Sequence, residues 1–177
     1  WGIDEATSLS LWDALALRYN EVHRRYHTLK HIADLLRLSS QHRADIKNPI
    51  VVDFAILYHD IVYNAQSTSN EEDSAEFWKA EMTRVGIKPS ELVDKVYEYI
   101  IETKEHQVAR STDGDLKLFI DFDMSVLSWS PEQYRQYCID VRQEYAHCDN
   151  TQWRIGRVNF LQNILDNIES NKTYAAS

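Results

Sequence analysis

The chain has 177 residues, 44% of them hydrophobic and 27% charged, with only four Gly and three Pro. That size suits one domain with one substantial core, and the composition is too apolar for disorder and too poor in breakers for a sandwich of many short strands. Nineteen Lys and Arg against 28 Asp and Glu leave a formal net charge of −9, which argues against an extended nucleic-acid surface without a local basic patch, but not against a small phosphorylated ligand held beside a cation.

Helix signals recur from the first residues onward. Leu9, Trp12, Leu15, Ala16 and Tyr19 keep a spacing of three and four, which predicts an opening amphipathic helix. Asn48 before Pro49 reads as an N-cap and a first-turn proline, starting a helix over Ile50–Ile61. Ser69-Asn-Glu-Glu72 is the pattern of a capping box opening Glu71–Val85, and Ser130-Pro-Glu-Gln133 that of a second one opening Glu132–His147. Between them, Pro89 starts a helix through Ile101, with Val93, Val96, Tyr97, Ile100 and Ile101 as its stripe. A last helix runs from about Trp153 to Ile168. Strand-like alternation is scarce, no repeat or linker divides residues 1–177, and the expected architecture is an all-α helical bundle. No run reaches the roughly eighteen apolar residues of a membrane span. Cys138 and Cys148, ten apart, match neither a disulfide framework nor a zinc spacing and read as free thiols in a reducing, cytoplasmic setting.

Two segments break the ordinary pattern. Ile50-Val-Val-Asp-Phe-Ala-Ile-Leu-Tyr58 is apolar on nearly every side, as a central buried helix is, yet it runs straight into His59-Asp60. Leu116-Lys-Leu-Phe-Ile-Asp-Phe-Asp-Met-Ser-Val-Leu127 is equally oily but carries Asp121 and Asp123. Burying a carboxylate is costly without a cationic partner, and few basic residues lie nearby in sequence, so a bound metal ion is the better counter-charge. His27 and His31 are four apart, a spacing that on a helix projects both imidazoles from one face. Alone that pair is a weak signal; with a His-Asp dipeptide and acids in oily segments it becomes specific.

The order His31, His59-Asp60, Asp123 resembles the H…HD…D signature of the HD-domain metal-dependent phosphohydrolase superfamily, and the chain is similar to a group of small predicted HD phosphohydrolases. The stretches that carry the resemblance are Arg25-Tyr-His-Thr-Leu-Lys-His-Ile32, Tyr58-His-Asp-Ile-Val-Tyr63, Asn70-Glu-Glu-Asp-Ser-Ala75, Ile101-Glu-Thr-Lys-Glu-His106, Asp121-Phe-Asp-Met-Ser-Val-Leu127 and Arg142-Gln-Glu-Tyr145. The resemblance implies an HD-type all-helical fold, a divalent metal (Mn, Fe, Co, Ni, Zn or Mg) and hydrolysis of a phosphate ester or nucleotide. It also implies His31, His59, Asp60 and Asp123 as metal ligands. Asp121 and Asp123, two apart, face different ways on a helix, so one of them is the ligand; the family pattern selects Asp123 and leaves Asp121 behind the ligands or paired with a basic side chain.

Tyr26-His27-Thr-Leu-Lys-His31 is also similar to a segment of the cyclic-nucleotide phosphodiesterases, distant relatives in which the first histidine protonates the leaving oxygen. This implies His27 as general acid. The Glu-Asp pair that alarmone-hydrolysing relatives carry after the dipeptide is missing from Ile61-Val-Tyr-Asn64. Glu71 or Glu72 is then the candidate for that acid-base role, with Glu72 better explained as the capping-box residue. Lys30 and Arg142 are candidate phosphate contacts and His106 a candidate pocket or second-metal residue; a solvated surface accounts for each of the three equally well. His23, His42 and His147 read as structural. Two other readings stay open: an HD-type di-iron oxygenase, and a non-catalytic module that binds a nucleotide or metabolite.

Overall fold

A computed structural model describes residues 4–88, 90–104 and 111–171, with side chains through residue 166. Among the described residues there are eight α-helices and no strand: α1 (Glu5–Tyr19), α2 (Leu29–Gln41), α3 (Pro49–Tyr58), α4 (Asn70–Arg84), α5 (Glu91–Glu102), α6 (Gly114–Asp123), α7 (Pro131–Glu144) and α8 (Asn150–Asn171). A 3-10 turn, Met124–Ser128, continues α6.

The helix starts follow from short polar side chains that satisfy the first free amides. Asp4, Thr28, Ser90 and Asp113 each accept a backbone N–H of the helix that follows. The capping box at Ser130 and Gln133 is formed, with Pro131 in the first turn of α7. At the end of α4 the chain reverses through Gly86, whose φ of 77° suits a residue without a Cβ, and the Ile87 amide donates to the Met82 carbonyl across the turn.

Several expected details differ. The capping box at Ser69 does not form: the Ser69 hydroxyl bonds to Asp73, and Glu72 pairs with Lys104 beyond the end of α5. An ammonium brought in by the tertiary fold is a stronger partner for Glu72 than a backbone amide of its own helix. Asn48 precedes α3 but makes no side-chain cap; instead both carboxylate oxygens of buried Asp115 accept the amides of Lys47 and Asn48. The face that α1 buries is Leu11, Leu15 and Tyr19, while Leu9 and Trp12 stay more than half exposed. His27 is not on a helix with His31; it lies before Thr28, the N-cap of α2.

Central α3 packs against α2, α4, α5 and α6. Val51, Val52, Ala55, Ile56 and Tyr58 are buried, joined by Trp78, Ile100 and Phe119 from the neighbouring helices. A smaller cluster forms where Tyr137 and Val141 of α7 meet Val126, with Tyr26, Tyr145 and Trp153 packed around it. Cys138 and Cys148 are free thiols, and no described helix is long and apolar enough to cross a membrane.

Candidate metal centre

Three helix ends deliver the polar groups between these two clusters. His31 sits in the first turn of α2, His59 and Asp60 follow directly on α3, and Asp123 is the last residue of α6. The His31 Nε2 lies 3.4 Å from the His59 Nε2, 3.8 Å from Asp60 Oδ2 and 3.2 Å from Asp123 Oδ1. The His59 Nε2 is 3.1 Å from Asp60 Oδ2 and 3.6 Å from Asp123 Oδ1. Donors about 2.1 Å from a common ion stand roughly 3.0–3.4 Å apart in octahedral or tetrahedral geometry; the 3.1, 3.2 and 3.4 Å separations fall in that range and those of 3.6 and 3.8 Å lie just beyond it. His31, His59 and Asp60 form a group that can hold a metal ion, and Asp123 presents an oxygen to both imidazoles. The two histidine side chains are only 2% exposed.

The orientation of His59 is fixed from behind. Its Nδ1 lies 2.9 Å from the Ile56 carbonyl, which can only accept, so Nδ1 carries the proton and the Nε2 lone pair faces the centre. Burial alone would lower the His59 pKa, but the adjacent Asp60 and Asp123 carboxylates outweigh it and raise it well above the ordinary value. Asp60 responds in the opposite sense, its burial overcome by His59 and His27. Two nearly buried acids thus favour positive charge at this point, which a protonated imidazole or a bound cation can carry.

The centre opens into a cavity of about 600 Å³ whose walls include His27, Tyr63, Glu71, Trp153 and Arg157. Glu144 of α7 holds His27 in place. Its Oε1 accepts the amides of Arg25, Tyr26 and His27 at 2.7, 2.8 and 3.1 Å, and its Oε2 lies 2.7 Å from His27 Nδ1 and 2.9 Å from the Tyr63 hydroxyl. His27 Nε2 is the nitrogen left for the cavity. Burial would lower the His27 pKa, but Asp60 and the Glu144 hydrogen bond raise it. Glu71 shifts upward because it is desolvated.

Arg24 braces the same assembly. Its fully buried guanidinium donates to the carbonyls of His27, Asp60 and Ile61 at 3.2, 2.7 and 3.0 Å and pairs with Glu21. Arg24 and Glu144 grip one loop from two sides, and neither was among the candidate site residues of the sequence. Glu144 lay in one of the stretches carrying the resemblance, but its role depends on contacts 117 to 119 residues distant.

The remaining candidates lie elsewhere. Asp121 is exposed on α6, outside the His31, His59, Asp60 and Asp123 group, and partial desolvation raises its carboxyl pKa against the opposing charge of Lys117. Lys30 extends into solvent, paired with Asp34. Arg142 is spent on the α7–α8 turn, donating to the carbonyls of Tyr145 and Cys148 and to Asn150. His106 lies outside the described residues. His23 is structural, bonded through Nε2 to the Tyr63 carbonyl.

No protein-family model, curated protein or solved structure matches the chain.

Proposed function

We propose that the chain is a metal-dependent phosphohydrolase of the HD type, acting on a small phosphate ester or nucleotide. The observation that carries this reading is the convergence of two imidazole nitrogens and two carboxylate oxygens, 3.1–3.8 Å from one another across the His–His and His–carboxylate pairs, on the wall of an open cavity.

A mixed nitrogen and oxygen set of this kind suits Mn, Fe, Co, Ni, Zn or Mg. A divalent cation there supplies Lewis acidity toward a phosphate oxygen and a water of lowered pKa. The protein's own groups supply the proton traffic. His27, held through Nδ1 by Glu144 and biased toward its protonated form, delivers a proton from Nε2 to the departing oxygen. Glu71 lines the same cavity with a carboxyl pKa raised by burial, the direction required of a group that takes a proton from the attacking water. Tyr63 stacks on His27, ring centroids 4.2 Å apart, and limits its rotation.

The test is metal analysis of the purified protein followed by a turnover screen over nucleotides and sugar phosphates, for wild type, His59→Ala and Asp60→Ala. The reading expects bound metal and hydrolysis in wild type and the loss of both in the two variants. Hydrolysis by metal-free protein refutes it. Iron with a paramagnetic signal and oxygen-dependent turnover moves the assignment to an oxygenase, and ligand-dependent melting without turnover moves it to a binding module.

A further inference from the structure

One wall of the cavity, contributed by α8, carries a charge that the metal centre does not use. Arg157 is half-buried there, and its guanidinium carbon stands 5.0 Å from the centre of the Tyr137 ring and 4.8 Å from that of Phe160. Its acceptors are neutral: Nη2 donates to the Tyr134 hydroxyl at 3.1 Å, and the Tyr137 hydroxyl lies beside it. Nε is buried with no hydrogen-bond partner among the described residues.

This differs from the arginines that the fold uses structurally. Arg18, Arg24, Arg37, Arg43 and Arg84 each face a carboxylate, and Arg142 spends its donors on two carbonyls and Asn150, whereas Arg157 forms no ion pair with a carboxylate of the described residues and keeps a buried Nε without an acceptor among them. In a chain with 28 acidic residues against 19 basic ones, a desolvated cation without an acid opposite it stands out. A guanidinium held against two aromatic rings is a rigid fork of donors, matched to the paired oxygens of a phosphate or carboxylate.

We propose that Arg157 is the anion-recognising residue of the cavity, binding an anionic oxygen group of the ligand whose phosphate reaches the metal centre. This rests on the phosphohydrolase reading for the identity of that ligand, but the anion site itself does not depend on turnover. Two sources supply the same chemistry: the reacting phosphate, or a second acidic group on the same molecule.

Calorimetric titration of the full chain, loaded with zinc or manganese, separates them. The probes are inorganic phosphate and a propane-1,3-diyl bisphosphate, and the proteins are wild type and Arg157→Gln. Arg157→Met, which keeps an apolar stem between the two rings, replaces the glutamine variant if that one melts early. An affinity for inorganic phosphate lowered on the order of tenfold, with metal content and melting temperature unchanged, places Arg157 on the reacting group. Unchanged phosphate affinity with a similar loss for the bisphosphate places it on the second group. Equal affinities of wild type and variant for both probes, with metal intact, overturn the proposal. Arg157-dependent phosphate binding in a wild type that hydrolyses nothing sinks the phosphohydrolase reading and leaves the anion site standing.

Discussion

Glu144 Oε2 and His27 Nδ1 are 2.7 Å apart although 117 residues separate them in sequence. The same carboxylate closes on three consecutive amides, so one side chain sets both the backbone and the ring of the proposed proton donor. Glu144→Gln keeps the shape but turns an acceptor into a donor that faces other donors. We expect kcat to fall on the order of a hundredfold, with KM and metal content changing far less. Steady-state kinetics beside metal analysis checks this, and an unchanged kcat removes His27 positioning from the mechanism.

The Glu144 carboxyl also gives an acid-stability prediction. Burial would raise its pKa, but the His27 hydrogen bond and charge and the amides of Arg25 and His27 bring it down to about 2, from an ordinary 4.5. The folded state therefore binds this proton less readily than the unfolded state does. Its stabilisation is complete above the unfolded value and drains away as pH falls from about 4.5 toward 2. Melting curves of metal-free wild type and Glu144→Gln should differ most near pH 6 and converge only below about pH 2. A gap that widens on acidification contradicts the assignment.

Asp121 and Asp123 pose a cleaner contrast, since two residues of one helix end exchange roles by orientation alone. Asp123 Oδ1 faces both imidazoles, whereas Asp121 is exposed on α6. Asp123→Asn should weaken cobalt or zinc binding on the order of ten- to a hundredfold, and Asp121→Asn should leave it within about twofold, since the first alters the donor set and the second a solvated group. Direct metal titration of both variants distinguishes them.

How much of this was legible depended on whether the information was local. The oily segments around His59-Asp60 and Asp123 announced buried acids in need of a cation, and the four ligand candidates do converge. The Ser130 box was legible because all its partners lie within four residues. The Ser69 box was misleading because Lys104, 32 residues from Glu72, outbids the local amide. Likewise the spacing of Leu9 and Trp12 fits a helix stripe, but the packing of α1 selects Leu11, Leu15 and Tyr19. The helical reading of His27 failed because Thr28 caps α2 just after it, freeing the histidine to turn toward Glu144. Arginines 24 and 157 look alike on paper; only burial and the identity of their acceptors separate a brace from a recognition group.

Arg24 is where stability and metal binding are coupled most directly. Its guanidinium spans from the His27 carbonyl to those of Asp60 and Ile61, so it joins the loop of the proposed proton donor to the turn that carries two candidate ligands. Lysine carries the charge but presents a single point of donors and cannot reach three carbonyls in a plane. Arg24→Lys should therefore leave buried carbonyls unsatisfied, costing about 1–3 kcal/mol in unfolding free energy. It should also loosen the His59–Asp60 turn, lowering metal affinity on the order of tenfold, as loss of a group supporting the ligands does elsewhere. Denaturant unfolding of the metal-free protein reads the first effect and zinc titration of the folded variant the second. If stability falls but zinc affinity does not, Arg24 holds the fold alone, and the turn keeps its geometry through His59 Nδ1 and the Ile56 carbonyl.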